Sequence, residues 1–66
     1  MTITINGREQ DLSDGATAAE AVRVLTDAPS GVAVAVNGEV VTRSAWASTR
    51  LADGDQVEVL TAVQGG

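Results

Sequence analysis

The stretch that decides the fold is residues 57–66, VEVLTAVQGG, at the C-terminal end of this 66-residue sequence. Its first half alternates apolar and charged positions and is rich in β-branched residues, which predicts a β-strand. A strand secures a chain end that would otherwise fray. We therefore expect one folded domain over residues 1–63 and a flexible tail over residues 64–66 that ends in two glycines.

Those two glycines suit a tail that enters another protein. Glycine has no Cβ, tolerates positive φ and allows close approach of another backbone, so Gly65 can pass through a narrow cleft. The terminal carboxylate of Gly66 is ionised at neutral pH and unreactive until a reagent such as ATP activates it by adenylation. The tail is therefore the first candidate for a functional group.

The predicted last strand also offers a candidate docking surface. If the valines of residues 57–59 face the core, Leu60 lies on the opposite face with Glu58, in contact with water. An exposed leucine needs no explanation by itself, but this one lies beside the tail. We expect Leu60 and Glu58 to contact a partner protein and Val63 to share that role.

The residue types that are missing restrict the chemistry of the chain. It contains no Cys, no His and no Lys. These absences remove a thiol nucleophile, an iron–sulfur cluster, a thiolate zinc site, an imidazole base and a Schiff base. We expect no catalytic residue, no metal and no bound cofactor, so the chain is predicted to be acted on by enzymes and not to be one.

The net charge points to proteins as partners. Nine acidic residues against four arginines give a formal charge of −5. Nucleic acid is a poor candidate because phosphate binding needs clustered positive charge, whereas a basic protein surface fits. We find no apolar run that could span a membrane and no signal peptide, which favours a cytoplasmic location.

The order of predicted elements is β-β-α-β-β-β, with a short helical turn before the last strand. Two Asn-Gly pairs, at 6–7 and 37–38, predict tight hairpins. Thr17 with Glu20 predicts a capped helix start, and Pro29 predicts its end. The predicted elements are strands at residues 1–5, 8–12, 32–36 and 39–41, a helix at 18–27, a helical turn at 44–47 and the final strand.

Burial patterns complete this prediction. The helix is expected to bury Ala18, Ala21, Val22 and Leu25, and residues 32–36 read as a strand buried on both faces or nearly so. Trp46 and Leu51 are predicted core residues. Parallel pairing of the first and last strands then gives an α+β fold, the ubiquitin-like β-grasp, with a mixed four- to five-stranded sheet packed on one main helix.

A set of short motifs is spread over essentially the whole chain: Asn6-Gly7, Gly15, Thr17, AVNGEVV at 35–41, Arg43, Trp46, LADGD at 51–55 and VQGG at 63–66. In these motifs the sequence resembles one known family, the ThiS-type sulfur carriers of thiamine biosynthesis. The most specific part of the resemblance is the run from Asn37 to Trp46, although members often have Pro where this chain has Thr42.

The resemblance implies a β-grasp protein whose terminal carboxylate is the working group. A ThiF-type, E1-like enzyme would use ATP to adenylate Gly66, and a sulfur donor system would convert the adenylate into a thiocarboxylate. A ThiG-type thiazole synthase would then take the sulfur. Gly66 would bear the sulfur and Gly65 would thread into the enzymes.

Other readings stay open on the sequence alone. A Gly-Gly tail also fits the small subunit of molybdopterin synthase, a tRNA-thiolation carrier or a ubiquitin-like protein modifier. A plain β-grasp interaction module with an incidental Gly-Gly end is a fourth possibility. Such a module would keep its function after deletion of both glycines, whereas any carrier would lose its function.

Overall fold

Five strands, one α-helix and one 3-10 helix make up the described part of the chain, residues 1–26 and 31–61 of a computed structural model. Every predicted element is present; β3 and β4 have the predicted ends, and the ends of the other elements differ by at most two residues. The strands are β1 (Thr2–Ile5), β2 (Arg8–Asp11), β3 (Val32–Val36), β4 (Glu39–Val41) and β5 (Gln56–Thr61); the helices are α1 (Ala18–Leu25) and the 3-10 helix (Arg43–Ser48).

The strands form a mixed sheet in the order β2-β1-β5-β3-β4. The two Asn-Gly turns make antiparallel hairpins of β1 with β2 and of β3 with β4. β5 lies between the hairpins, parallel to β1 and antiparallel to β3. This is the predicted α+β β-grasp arrangement, and it places the last strand at the centre of the sheet and the polar β2 at an edge.

Helix α1 starts where the sequence predicts. The Glu20 carboxylate accepts a hydrogen bond of 2.8 Å from the backbone N–H of Thr17, so the predicted contact back to the helix start is present. The last helical residue is Leu25, and the N–H of Thr26 still donates to the Val22 carbonyl at 3.0 Å. The predicted end at about residue 27 is therefore two residues too late, since Thr26 is already extended, with φ −154° and ψ 143°.

The core lies between α1 and one face of the sheet. The fully buried side chains include Ile3, Ile5, Val22, Val34 and Val57. The predicted core residues Trp46 and Leu51 belong to this cluster, each 5% exposed. No helix in residues 1–26 and 31–61 is both long and apolar enough to cross a membrane.

Two burial predictions are wrong. Strand β3 is not covered on both faces, because α1 packs on one face of the sheet: Val34 is buried, whereas Ala33 is exposed and Ala35 only partly covered. The second is Leu25, which is 48% exposed because the packed stripe of the helix ends at Val22, one turn earlier.

The first residue is tied to the end of β2 and to the residues that follow it. The Met1 ammonium donates to the Leu12 carbonyl at 2.8 Å and lies 3.4 Å from Asp14 and 3.6 Å from Asp11. Burial of the ammonium opposes its protonation. The hydrogen bond and charge of Asp14, together with Asp11, outweigh that effect and raise the pKa of the Met1 ammonium.

Candidate functional site

The two faces of β5 differ as the alternation in the sequence predicts. Val57 and Val59 are 1% and 4% exposed on the face that packs against α1. Glu58 and Leu60 point to the opposite, open face, and Leu60 is 69% exposed. The structure thus brings two of the three predicted docking residues together on one surface.

The other predicted site residues lie beyond the end of β5. Val63, Gly65 and Gly66 fall outside the described residues. The last described residue, Thr61, is in register with Val32 of β3, so pairing in the sheet continues to that point. Leu60 therefore lies on the part of the central strand from which the tail departs.

An apolar surface surrounds Leu60 on the open face of the sheet. We call the set of Ala33, Ala35, Val40 and Leu60 the outer patch. Antiparallel pairing places Ala33 opposite Leu60 and Ala35 opposite Val40, so the side chains share one face. Val40 is 78% exposed, and a shallow hollow of about 100 Å³ lies between these residues and Glu58.

Sequence analysis missed three members of the outer patch. The signal was present in the alternation of small and branched residues at 32–36, where the alanines occupy every second position. Assigning them to the open face needs the knowledge that α1 covers one face alone. Placing Val40 beside Leu60 needs the register of two further strand pairs, which local pattern does not supply.

The carboxylate of Glu58 lies beside the outer patch. Glu58 is exposed and lies in register with Ala35. Within residues 1–26 and 31–61, the ion pairs found join the Met1 ammonium to Asp11 and Asp14, so none engages Glu58. An apolar surface with an unpaired carboxylate beside it is complementary to a partner surface that is apolar and basic.

Two asparagine side chains hold β5 in place. The backbone N–H of Asn6 donates to the Val57 carbonyl at 2.9 Å, and its side-chain amide both donates to and accepts from Val59, at 3.0 and 2.8 Å. On the β3 side, Asn37 accepts a hydrogen bond of 3.0 Å from the N–H of Gln56. The strand is thus anchored on both sides.

The described residues offer no obvious reaction centre of their own. The chain has no His and no Cys, so among the usual metal-binding side chains it has carboxylates alone. In residues 1–26 and 31–61, no group of three carboxylates lies close enough together to hold a metal ion. No buried side-chain polar atom in those residues lacks a hydrogen-bond partner. What the described surface offers is the exposed apolar area of the outer patch on the open face of the sheet.

Comparison with known proteins identifies relatives over the full length. The ThiS family profile matches residues 2–66. The sulfur carrier protein ThiS of Escherichia coli strain K12 is 32% identical over 66 residues, which cover 100% of both chains.

Solved structures agree with that match. The crystal structure of the thiamine biosynthesis protein ThiS from Geobacter metallireducens superposes with a TM-score of 0.79 at 35% identity, covering 100% of both chains. An NMR structure of a thiamine biosynthesis protein from the same organism gives a TM-score of 0.79 at 36% identity, covering 100% of this chain and 88% of the other.

Proposed function

This chain belongs to the ThiS family of sulfur carriers in thiamine biosynthesis, and we propose that it carries its sulfur as a thiocarboxylate on Gly66. The observation that supports this most is the position of β5. It is the central strand of the sheet, it is anchored on both sides, and the sequence that follows it ends in Gly65 and Gly66. A rigid body with a slender end can present a terminal carboxylate to an enzyme.

The proposed chemistry has two steps at the Gly66 carboxylate. A carboxylate oxygen attacks the α-phosphorus of ATP, and pyrophosphate leaves, which gives an acyl-adenylate. Sulfide-level sulfur from the donor system then attacks the carbonyl carbon, and AMP departs with one of the original carboxylate oxygens. The product is a thiocarboxylate, which is a better nucleophile than the carboxylate it replaces.

The composition supports a division of labour with partner enzymes. Because the chain has no Cys, it has no side-chain thiol on which to carry a persulfide. Without His and Lys, the usual proton-transfer and amine chemistry must come from elsewhere. We infer that an adenylating enzyme of ThiF type holds ATP and that a thiazole synthase of ThiG type receives the sulfur.

The outer patch is the proposed docking surface for the adenylating enzyme. Leu60 and Val40 present exposed apolar area, and Glu58 adds a charge that favours a basic counterpart. Contact at Leu60 would place the enzyme next to the start of the tail. Val63, outside the described residues, is proposed to extend this contact towards Gly66.

The direct test is an intact mass measurement. The purified chain, with its C-terminus free, is incubated with the cognate adenylating enzyme, ATP and a sulfur source. We expect a mass gain that corresponds to replacement of one oxygen by sulfur, and none in a chain that lacks Gly66. With enzymes shown to be active, an unchanged mass in the intact chain would refute the thiocarboxylate proposal.

The docking part is tested with a matched pair of leucine variants. Leu60→Asp should lower kcat/KM for adenylation at least about tenfold, because a leucine buried on docking contributes roughly 1.5–3 kcal/mol. Leu25→Asp is the control, since Leu25 is also exposed but lies on α1, on the other side of the sheet. Equal kinetics for the two variants, with both folded by circular dichroism, would exclude the outer patch.

A further inference from the structure

A second surface feature lies on the helical side of the molecule, away from the outer patch. Helix α1 and the 3-10 helix pack against each other and leave a shallow hollow of about 220 Å³ between them. We call it the arginine groove. Its lining residues are Ala19, Val22, Arg23, Arg43, Trp46 and Ala47.

The groove concentrates positive charge in an acidic protein. The chain carries −5 overall and has four cationic side chains, two of which, Arg23 and Arg43, line this hollow. Neither forms an ion pair with a carboxylate of residues 1–26 or 31–61. The neighbouring Glu20 directs its carboxylate to the Thr17 N–H at 2.8 Å, at the start of the helix.

The floor of the groove is apolar and fixed. Trp46 is 5% exposed, and its indole N–H donates to the Val41 carbonyl at 3.0 Å, which sets the orientation of the ring. The guanidinium carbon of Arg43 lies 5.9 Å from the centre of that ring, within range of a cation–π contact. The groove therefore presents one positioned arginine and a preformed apolar base.

We propose that the arginine groove binds an acidic segment of a partner protein, with an aliphatic side chain in the hollow and carboxylates on the two arginines. Guanidinium groups pair with carboxylates through two parallel hydrogen bonds, which a point charge cannot do. The apolar floor gives a leucine-sized side chain a place to lose contact with water. A free phosphate ion would use the arginines and leave the floor uncovered.

This site is independent of sulfur transfer. The groove lies on the side of the sheet covered by α1, whereas Leu60 and the outer patch lie on the open side. One protein can therefore occupy the groove while another contacts the outer patch. The role of the Arg43 and Trp46 pair, which the carrier chemistry at Gly66 leaves unexplained, would be recognition of that additional partner.

The test uses the acetylated and amidated hexapeptide EELLEE as the probe. Trp46 is the only aromatic residue of the chain, so its fluorescence reports on the groove alone. We expect the peptide to change Trp46 fluorescence and to shift the amide NMR signals of the groove residues, with a dissociation constant on the order of a millimolar. Binding should weaken as salt is added.

Two charge-reversed variants decide whether the peptide binds in the arginine groove. R23E/R43E and R8E/R50E each replace two exposed arginines, so both change the net charge from −5 to −9. Only the first pair lines the groove. We expect R23E/R43E to weaken peptide binding about tenfold or more, because two charge-assisted contacts are lost. R8E/R50E should weaken peptide binding much less.

Several results would overturn the proposal. One is that Trp46 fluorescence and the amide NMR signals stay unchanged at peptide concentrations well above about a millimolar. Another is that the two folded variants lose peptide affinity equally, and a third is that the NMR shifts centre on residues outside the groove. Inorganic phosphate that reproduces the peptide's shifts would reduce the site to an anion site. The counterpart KKLLKK should leave the groove signals unchanged, and equal binding of both peptides would also contradict the proposal.

Discussion

The two Asn-Gly turns share one local structure but have different roles in the fold. Asn6 and Gly7 have φ of 53° and 81°, and Asn37 and Gly38 have φ of 51° and 84°. Both pairs are therefore left-handed at both central positions, as the tight hairpin turn of this dipeptide requires. Considered as hairpin turns, they are equivalent.

Their side chains are not equivalent. The Asn6 amide bonds both backbone groups of Val59, in a partly buried position. The Asn37 amide is exposed and divides its bonds between the N–H of Gln56 and the carboxylate of Asp55, each at 3.0 Å. The first asparagine replaces a missing strand neighbour, whereas the second makes contacts that water can largely replace.

The reason is the short pairing between β1 and β5. Their register covers two positions, Thr4 with Gln56 and Ile5 with Val57. Asn6 then turns away, and its side chain supplies the next pair of hydrogen bonds to β5. A residue that makes a turn therefore also extends a parallel ladder, towards the end of β5 that leads into the tail.

The largest effect should follow removal of the Asn6 amide. Asn6→Ala leaves the N–H and the carbonyl of Val59 without a protein partner and places alanine at positive φ. These groups are only partly buried, so each lies towards the lower end of the roughly 1–3 kcal/mol that an unpaired buried group costs. Together with the cost of alanine at positive φ, we expect a loss of about 3 kcal/mol in the free energy of unfolding. Urea unfolding followed by circular dichroism measures it. If Asn37→Ala lowered the free energy of unfolding by the same amount, the proposed difference between the two asparagine side chains would be wrong.

An intermediate and equal effect should come from the two turn glycines. Gly7→Ala and Gly38→Ala each force an alanine into the left-handed region, while an added Cβ meets nothing within 4 Å at either position. The cost is conformational alone, roughly 1–2 kcal/mol in the free energy of unfolding at both sites. Thermal unfolding of the two variants should agree within error, and a clear difference would show that the turn backbones are not equivalent.

The smallest effect should come from Asn37→Ala. Water can reach the Gln56 N–H and the Asp55 carboxylate after the amide is removed, because this cluster is exposed. We expect a loss of about 1 kcal/mol in the free energy of unfolding, mostly from alanine at positive φ. Amide hydrogen exchange sharpens the contrast: in Asn6→Ala the Val59 amide should lose protection selectively, while Asn37→Ala should leave it unchanged.

Most of the fold follows from local patterns in the sequence. The alternation at 57–59 predicts β5, the Asn-Gly pairs predict both hairpins, and Thr17 with Glu20 predicts the helix start. Each of these signals lies within a few residues of the structure it specifies. The bond from Asn6 to Val59 joins residues 53 positions apart, so no local pattern contains it.

The candidate site divides in the same way. The exposure of Leu60 follows from strand alternation once the buried valines are assigned. Which elements become neighbours in space decides that Val40 belongs to the outer patch and that Arg23 and Trp46 line the same hollow. The interpretation of β3 as buried on both faces failed for this reason, since an apolar run does not record whether a second layer covers it.

The central position of β5 has a mechanical consequence. A partner that grips the tail and pulls along it would load β5 along its own axis, with hydrogen bonds to β1 and to β3 sharing the force. A strand at the edge of the sheet would have shared that force with one neighbour. The tail that enzymes are proposed to bind thus follows the strand that has hydrogen-bonded neighbours on both sides.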